Sequence, residues 1–119
     1  MTTTVLEEAE EAFVGLDAEK LVSLYADEFV FEDTSTKDRI TAKDQLREYF
    51  DRLFSLPVVS FSNVSFFALG DRGAGGWTWS GRSRRSGADY SIQGASLFIL
   101  GDDRIKEERI FYDPRDALA

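Results

Sequence analysis

The sequence predicts an α+β domain in which N-terminal helices pack against one curved antiparallel sheet, giving a cone-shaped architecture. Two observations favour this class: apolar residues recur at helical spacing in the first half, and from Val58 onward they alternate as in strands. Helices that precede a series of hairpins are typical of α+β proteins. The composition does not shift along the 119 residues, so residues 1–119 are expected to form a single domain.

Three helices are predicted before the main run of strands. The first covers about residues 3–15, because apolar residues recur at helical spacing behind a threonine-rich cap. Gly15 ends it, and Asp17 caps a short second helix that runs to about Tyr25. Thr41 caps a third helix that ends near Pro57. Its apolar stripe follows the i, i+3, i+4, i+7, i+8 pattern through Leu46, Tyr49, Phe50, Leu53 and Phe54.

Five strands are predicted, one of them between the second and third helices. They cover residues 28–33, 58–69, 75–83, 88–100 and 104–112, and the turn signals GDRGAGG, RRSG and GDD separate the last four. The long strands contain Gly76, Gly81 and Gly94, which permit bulges and bends. The sheet is therefore expected to curve around the third helix and to enclose a space.

Composition excludes several kinds of chemistry and partner. The chain has no cysteine and no histidine, which removes thiol nucleophiles, Ser-His-Asp triads and the usual ligands of zinc, copper and haem. No metal or cofactor is expected, and any catalysis falls to carboxylates, Tyr, Lys or Arg. The net charge of −8 repels phosphate backbones and anionic lipid, so neither nucleic acid nor a membrane is an expected partner. The start lacks the pattern of a signal peptide, and a cytoplasmic protein is expected.

Asp33 ends the segment FVFED, where alternate residues share a strand face. The acid therefore lies on the same face as Phe29 and Phe31. One interpretation is a turn at the end of a strand, in which the carboxylate accepts hydrogen bonds from the backbone amides that follow. The other is a general base in an apolar pocket, where desolvation raises the pKa of a carboxyl group. The pattern of the strand leaves both interpretations open.

Large rings on inward faces are candidates for pocket walls. Trp77 and Trp79 share one face of a strand, and core packing is as good an explanation for them as ligand contact. Tyr25, Tyr49 and Phe50 lie on helical stripes and belong to the core by default. The end of the second helix is nevertheless expected near the point where Asp33 emerges, which makes these three side chains candidate ligand contacts.

Three segments of the chain resemble one known superfamily. DAEKLVSLYADEFVFEDTST, a capped helix that ends YFDRLFSLP, and the last strand DRIKEERIFYD resemble SnoaL-like and ketosteroid-isomerase-like proteins of the nuclear transport factor two fold. The resemblance runs from about Leu6 to Leu118. It implies the cone-shaped, cystatin-like fold, and it puts Asp33 where the steroid isomerases carry their general base. The fold hosts enzymes and noncatalytic domains, so the resemblance specifies function poorly.

Two branches of the superfamily match badly at their catalytic positions. Steroid isomerases use a tyrosine of the first helix and a late-strand aspartic acid as oxyanion donors, and this chain has Phe13 and about Ala95 there. Steroid isomerisation is disfavoured unless Tyr25, Tyr49 or Ser96 supplies a donor. Limonene-epoxide hydrolases need an Arg-x-Asp on a middle strand and an aspartate on the last. Here those positions read GWTWSG and Ile110, so epoxide hydrolysis is disfavoured too.

Two classes of function follow from the sequence. The first is cofactor-free acid–base catalysis of cyclase or isomerase type on a small hydrophobic carbonyl compound, with Asp33 as base. The alternative is a noncatalytic domain for small-molecule binding or dimerisation. We expect an apolar cavity on the order of 300 to 1,000 Å³ beside Asp33, which in the alternative holds a small hydrophobic molecule or nothing. Its expected ligand contacts are Tyr25, Tyr49, Phe50, Trp77, Trp79 and Ser96. A homodimer through the outer face of the sheet is also expected, since Phe67 and Leu69 lie opposite Val64 and Phe66.

Overall fold

The computed structural model describes residues 4–119. Four helices and six strands alternate in a pattern close to the predicted one. In order along the chain they are α1 (Val5–Val14), α2 (Ala18–Ser23), β1 (Tyr25–Asp33), β2 (Asp38–Ile40), α3 (Lys43–Phe54), β3 (Ser60–Leu69), β4 (Arg72–Arg82), β5 (Asp89–Gly101), β6 (Arg104–Tyr112) and α4 (Arg115–Leu118).

The first two helices begin as predicted. Thr4 caps α1 by accepting a hydrogen bond from the Glu7 amide, and Asp17 caps α2 by accepting one from the Lys20 amide. The predicted first residue of α1, residue 3, lies outside the described residues. The predicted end of α2 at Tyr25 is wrong. That residue begins β1, because the chain starts to pair with β6 at Leu24, whose carbonyl accepts from the Ile105 amide.

The start of α3 differs from the prediction. Ala42 occupies the cap position, and no side chain of residues 4–119 caps the helix. The prediction that Thr41 caps α3 is therefore wrong. The ammonium group of Lys43 instead donates to the carbonyl oxygens of Val22 (3.2 Å) and Tyr25 (2.7 Å). These two bonds tie the first turn of α3 to the end of α2 and the start of β1.

The six strands form one curved sheet that does not close, in the order β2-β1-β6-β5-β4-β3. The α+β architecture is as predicted, but the sheet is not purely antiparallel: β1 runs parallel to β6, and the other four neighbouring pairs are antiparallel. Hairpins join β3, β4, β5 and β6 one after another along the chain. The connection from β1 to β6, in contrast, includes all of the elements between them. Such a connection permits the parallel direction, which a hairpin does not.

One irregularity of the sheet lies at a predicted glycine, because the shift between β3 and β4 ends at the pair Ser65–Gly76, whereas Gly81 and Gly94 pair in regular register. Register shifts fall between Ser62 and Ser65 of β3 and between Ile99 and Leu100 of β5. Gly94 has another role, because the Trp77 ring lies directly against its Cα and a side chain there would overlap the ring. The glycine makes space for an aromatic ring in the interior.

Aromatic rings fill most of the space between the helices and the sheet. Phe50 of α3 is buried and packs against Phe13 of α1 (centroids 5.8 Å apart), Phe31 of β1 (5.6 Å) and Phe54 (5.7 Å). This places α3 on the inner side of the sheet, as predicted. The contacts with Phe13 and Phe31 are edge-to-face and the contact with Phe54 is stacked, and both kinds of packing add to the stabilisation from burial itself.

The outer face of the sheet carries exposed apolar side chains. Phe67 is 65% exposed, Leu69 83%, Leu97 47% and Phe111 37%, and we call these four the outer-face patch. Phe66, one residue before Phe67, is buried, so the predicted alternation of faces on β3 is confirmed. Among the described helices, none has the length and apolar character needed to cross a membrane.

Candidate functional site

Asp33 is buried at the end of β1 and receives four hydrogen bonds. Its Oδ1 accepts from the amides of Ser35 (3.0 Å) and Thr36 (3.2 Å), which forms the turn predicted as the simpler interpretation. Its Oδ2 accepts from the hydroxyls of Tyr49 and Tyr112, each at 2.7 Å. Four bonds use the lone-pair sites that an ionised carboxylate offers. Asp33 therefore holds two phenol groups in addition to the turn.

The two tyrosines come from opposite walls of the interior. Tyr49 lies on α3 and Tyr112 at the end of β6, so Asp33 links the helix to the sheet. Burial, followed by the influence of Asp33, raises the pKa of Tyr49 far above its ordinary value, and burial and the bond to Asp33 raise the pKa of Tyr112. Both phenols therefore keep their protons near neutral pH.

Glu108 is a second buried carboxyl group, and the sequence analysis missed it. It lies on β6 with no exposed surface, and the Tyr25 hydroxyl donates to its Oε1. Burial raises the pKa of Glu108 to about 7, although the hydroxyls of Tyr25 and Ser96 act in the opposite direction. Its Oε2 accepts no hydrogen bond from the described part of the chain. Glu108 thus has a free oxygen and a pKa at which both protonation states are populated near neutrality.

Ser96 links Trp77 to Glu108. The indole N–H of Trp77 donates to Ser96 Oγ at 3.0 Å, and that hydroxyl is buried close enough to Glu108 to lower its pKa. Trp79 differs from Trp77, because its Nε1 has no hydrogen-bond partner within residues 4–119. Tyr90 packs edge-on against the Trp79 ring, with 5.2 Å between centroids.

A small cavity lies between α3 and the sheet. Its volume is about 30 Å³, enough for about two water molecules, so the predicted volume of hundreds of Å³ is wrong. The phenylalanine rings packed around Phe50 occupy that space. The cavity is lined by Phe13, Phe31, Tyr49, Phe50, Leu53, Phe61, Trp77, Trp79, Glu108, Ile110 and Tyr112.

The predicted site residues fall into two groups. Tyr49, Phe50, Trp77 and Trp79 line the cavity. Asp33, Tyr25 and Ser96 lie behind its wall, each in a hydrogen-bond network with a residue that lines it.

The comparison with family models supports the resemblance seen in the sequence. The model of the SnoaL-like domain matches residues 6–108. The chain belongs to the SnoaL-like family. No curated protein matches the sequence. Solved structures match this SnoaL-like domain over most of their own length, and three of them follow.

A protein of ketosteroid isomerase-like fold from Catenulispora acidiphila, solved in complex with trimethylamine, has a TM-score of 0.80 at 16% identity and covers 95% of this chain and 88% of its own. A protein provisionally named a polyketide cyclase, from Pseudomonas putida, has a TM-score of 0.79 at 14% identity, with 97% and 96% covered. A nuclear transport factor two-like protein of unknown function from Cytophaga hutchinsonii has a TM-score of 0.75 at 12% identity, with 100% and 98% covered. At these identities the likeness establishes the fold alone.

The site of this SnoaL-like domain therefore combines one proton-exchanging group with an apolar enclosure. Glu108 can accept or donate a proton at its free Oε2, while the hydroxyl of Tyr25 donates to its Oε1. The hydroxyls of Tyr49 and Tyr112, which also line the cavity, donate hydrogen bonds to Asp33 and keep lone pairs for a ligand.

Proposed function

We propose that this SnoaL-like domain performs cofactor-free acid–base catalysis, of the cyclase or isomerase type, on a small hydrophobic carbonyl compound. The observation that carries the proposal is Glu108. Burial raises its pKa to about 7, and the residue borders a cavity that is otherwise mostly apolar. A general acid–base works best when its pKa lies near the working pH.

In the proposed reaction, ionised Glu108 removes a proton from an acidic C–H of the bound compound and later returns it. The hydroxyl of Tyr25 stabilises the carboxylate through Oε1, which leaves Oε2 for the substrate. A substrate of more than a few heavy atoms requires the cavity to widen. Tyr49, Leu53 and Tyr112 are half-buried and line it, so these are the side chains that would have to move apart.

Asp33 remains a second candidate for the base. Its place beside two cavity tyrosines agrees with the assignment made from the sequence, but all four of its lone-pair sites already accept hydrogen bonds. For Asp33 to accept a proton from a substrate, one of those bonds has to break. We therefore assign the proton transfer to Glu108 first and to Asp33 second.

Proton exchange separates these assignments. Compact ketones such as cyclohexanone and 2-cyclohexenone are incubated with the protein in D₂O, and loss of the α-proton signal is followed by NMR. Glu108→Gln should lower the catalysed exchange by about 10² to 10⁴, the range for losing a positioned base, and the outer-face variant Glu107→Gln should not. Loss in Asp33→Asn alone would move the role to Asp33. Exchange no faster than in buffer for the whole ketone panel would reject catalysis.

The alternative is a noncatalytic domain that binds a small molecule. The size of the cavity supports it, because about 30 Å³ suits a ligand of a few heavy atoms better than a polyketide. The trimethylamine found in the Catenulispora structure is a ligand of that size. Saturable binding of a compact molecule together with no exchange on any ketone would favour this alternative.

A further inference from the structure

We propose that the cavity binds a compact alkylammonium ion, with Glu108 as its counter-ion. The arrangement that carries the proposal is a buried carboxyl group that has no cation from residues 4–119 beside it and borders a cavity walled by aromatic rings. The cavity is the one in the proposed function, but the inference does not rest on catalysis, and a domain without any turnover could bind the ion equally well.

The charge of Glu108 is uncompensated in the described residues. The ion pairs of residues 4–119 all involve other acidic side chains. Lys43, whose ammonium group reaches inward, donates to two backbone carbonyls instead. A buried ion without a partner is strongly unfavourable, and a bound cation would remove that penalty. The site is thus suited to a positively charged ligand.

The walls of the cavity select the kind of cation. Eight of the eleven lining residues are aromatic, and aromatic faces attract alkylated ammonium groups through their quadrupole. Glu108 is the one lining side chain with a carboxylate, whereas calcium and magnesium require about six oxygen ligands. The walls of the cavity therefore suit a compact organic cation better than a metal ion, and an ion of four heavy atoms requires Tyr49, Leu53 and Tyr112 to move slightly apart.

The free oxygen of Glu108 suits an ammonium group that still has a proton. Oε2 accepts no hydrogen bond from residues 4–119, so an N–H of the ligand has an acceptor waiting. The titratable groups that face Glu108 are Tyr25 from β1 and Tyr49 from α3. Burial raises the pKa of both phenols, so they stay neutral below pH 9, and β5 contributes only the hydroxyl of Ser96. Glu108 is then the group whose ionisation sets the pH dependence of binding.

The test uses trimethylammonium chloride as the probe and NMR titration of the intact ¹⁵N-labelled protein in 0.3 M NaCl. The salt suppresses weak binding to the acidic surface. We expect saturable shifts of the Trp77 and Trp79 indole signals at pH 8.5. Affinity should fall by about 30-fold at pH 5.5, because Glu108 with a pKa of about 7 is then almost wholly protonated. The uncharged tert-butanol, of similar shape, should bind at least about 10-fold more weakly at pH 8.5.

Two matched variants locate the charge. Glu108→Gln should lose the binding, and Glu107→Gln, the same substitution one residue away, should keep it. Equal affinity for tert-butanol, no pH dependence in the wild-type protein, or unchanged binding in a folded Glu108→Gln variant would each overturn the inference. The pH and tert-butanol measurements use the unmodified chain, so they test the role of the Glu108 charge even if Glu108→Gln fails to fold. A wild-type protein that binds trimethylammonium but catalyses no ketone exchange would contradict the proposed function and leave this inference intact.

Discussion

Glu108 is a carboxyl group whose charged form the folded protein disfavours. Its pKa rises from 4.5 to about 7 because of burial, so the folded state binds this proton more tightly than the unfolded chain does. The resulting stabilisation is fully present below about pH 4.5 and is lost as the pH rises through 7. Burial of Glu108 therefore lowers the stability of the folded protein at neutral and alkaline pH.

This shift predicts a measurable pH effect on stability. Between pH 5 and pH 8, Glu108 should reduce the free energy of unfolding by about 2 to 3 kcal/mol. Glu108→Gln cannot lose this stability as the pH rises. Between pH 5 and pH 8, the difference in the free energy of unfolding between the variant and the wild-type protein should therefore shift by about 2 to 3 kcal/mol in favour of the variant. The measurement is urea denaturation of both proteins at pH 5 and pH 8.

The control for this prediction is Glu107→Gln, which removes a charge from the other face of β6. Its pH dependence should follow that of the wild-type protein, since this variant keeps Glu108. Parallel curves for wild type and Glu108→Gln would show that Glu108 has an ordinary pKa in the folded protein.

Sequence reasoning reached Asp33 and passed over Glu108 although the same pattern marks both. Asp33 shares a strand face with two phenylalanines, and Glu108 shares one with Ile110 and Tyr112. Alternation along IKEERIFY could therefore have revealed the second acid. The partners of these acids could not have been read from the chain. Tyr25 and Glu108 are 83 positions apart, and Asp33 and Tyr112 are 79 apart, so their contacts depend on the pairing of β1 with β6.

At the scale of elements, β5 depends on a glycine that leaves space for Trp77. The Trp77 ring lies against Gly94 and donates to Ser96 two residues further along β5. Gly94→Ala should displace the ring and destabilise the protein by about 1 to 3 kcal/mol, the usual cost of overpacking. Chemical denaturation gives the loss, and tryptophan fluorescence reports the displacement.

Gly76→Ala on β4 is the matched substitution. The nearest atom to a methyl group there is the Gly94 carbonyl oxygen at 3.4 Å, and the expected change is less than about 1 kcal/mol. An equal loss in both variants would mean that Gly94 matters for the strand backbone and not for the space it leaves.

Elements with strong hydrophobic periodicity were predicted well, and a strand that is defined only by its pairing with another strand was not. The bounds of β6, Arg104–Tyr112, match the prediction, because its alternation and flanking turns are local signals. The three-residue β2 is defined by pairing with β1, and nothing in Asp38–Ile40 alone marks a strand. The cavity volume was overpredicted for a related reason: ring size can be read from the sequence, but how closely rings pack cannot.

For the whole molecule, the outer-face patch predicts a homodimer. Phe67 and Leu97 lie in one row across β3, β4 and β5 through Ala74, and Phe111 lies on β6 with the Arg109 guanidinium 5.4 Å from its ring centre. A contiguous apolar face of this kind marks an interaction surface. We expect a dimer at micromolar concentration in sedimentation velocity experiments.

Single charges should dissolve this dimer. Leu97→Lys places an ammonium group in the centre of the patch and should shift the protein to a monomer, while Val14→Lys, at an exposed apolar position on α1, should leave the dimer unchanged. A wild-type protein that sediments as a monomer at these concentrations would reject the homodimer.

The parallel pairing of β1 with β6 also determines when the protein can fold during synthesis. The ribosome releases β1 early and β6 last, and the nascent chain has no partner for that edge of β1 until Ile105 and the residues after it have emerged. Until then Tyr25 lacks its carboxyl acceptor and Asp33 lacks its second phenol. Both networks must therefore form after translation of almost the whole domain, when the chain closes its longest loop.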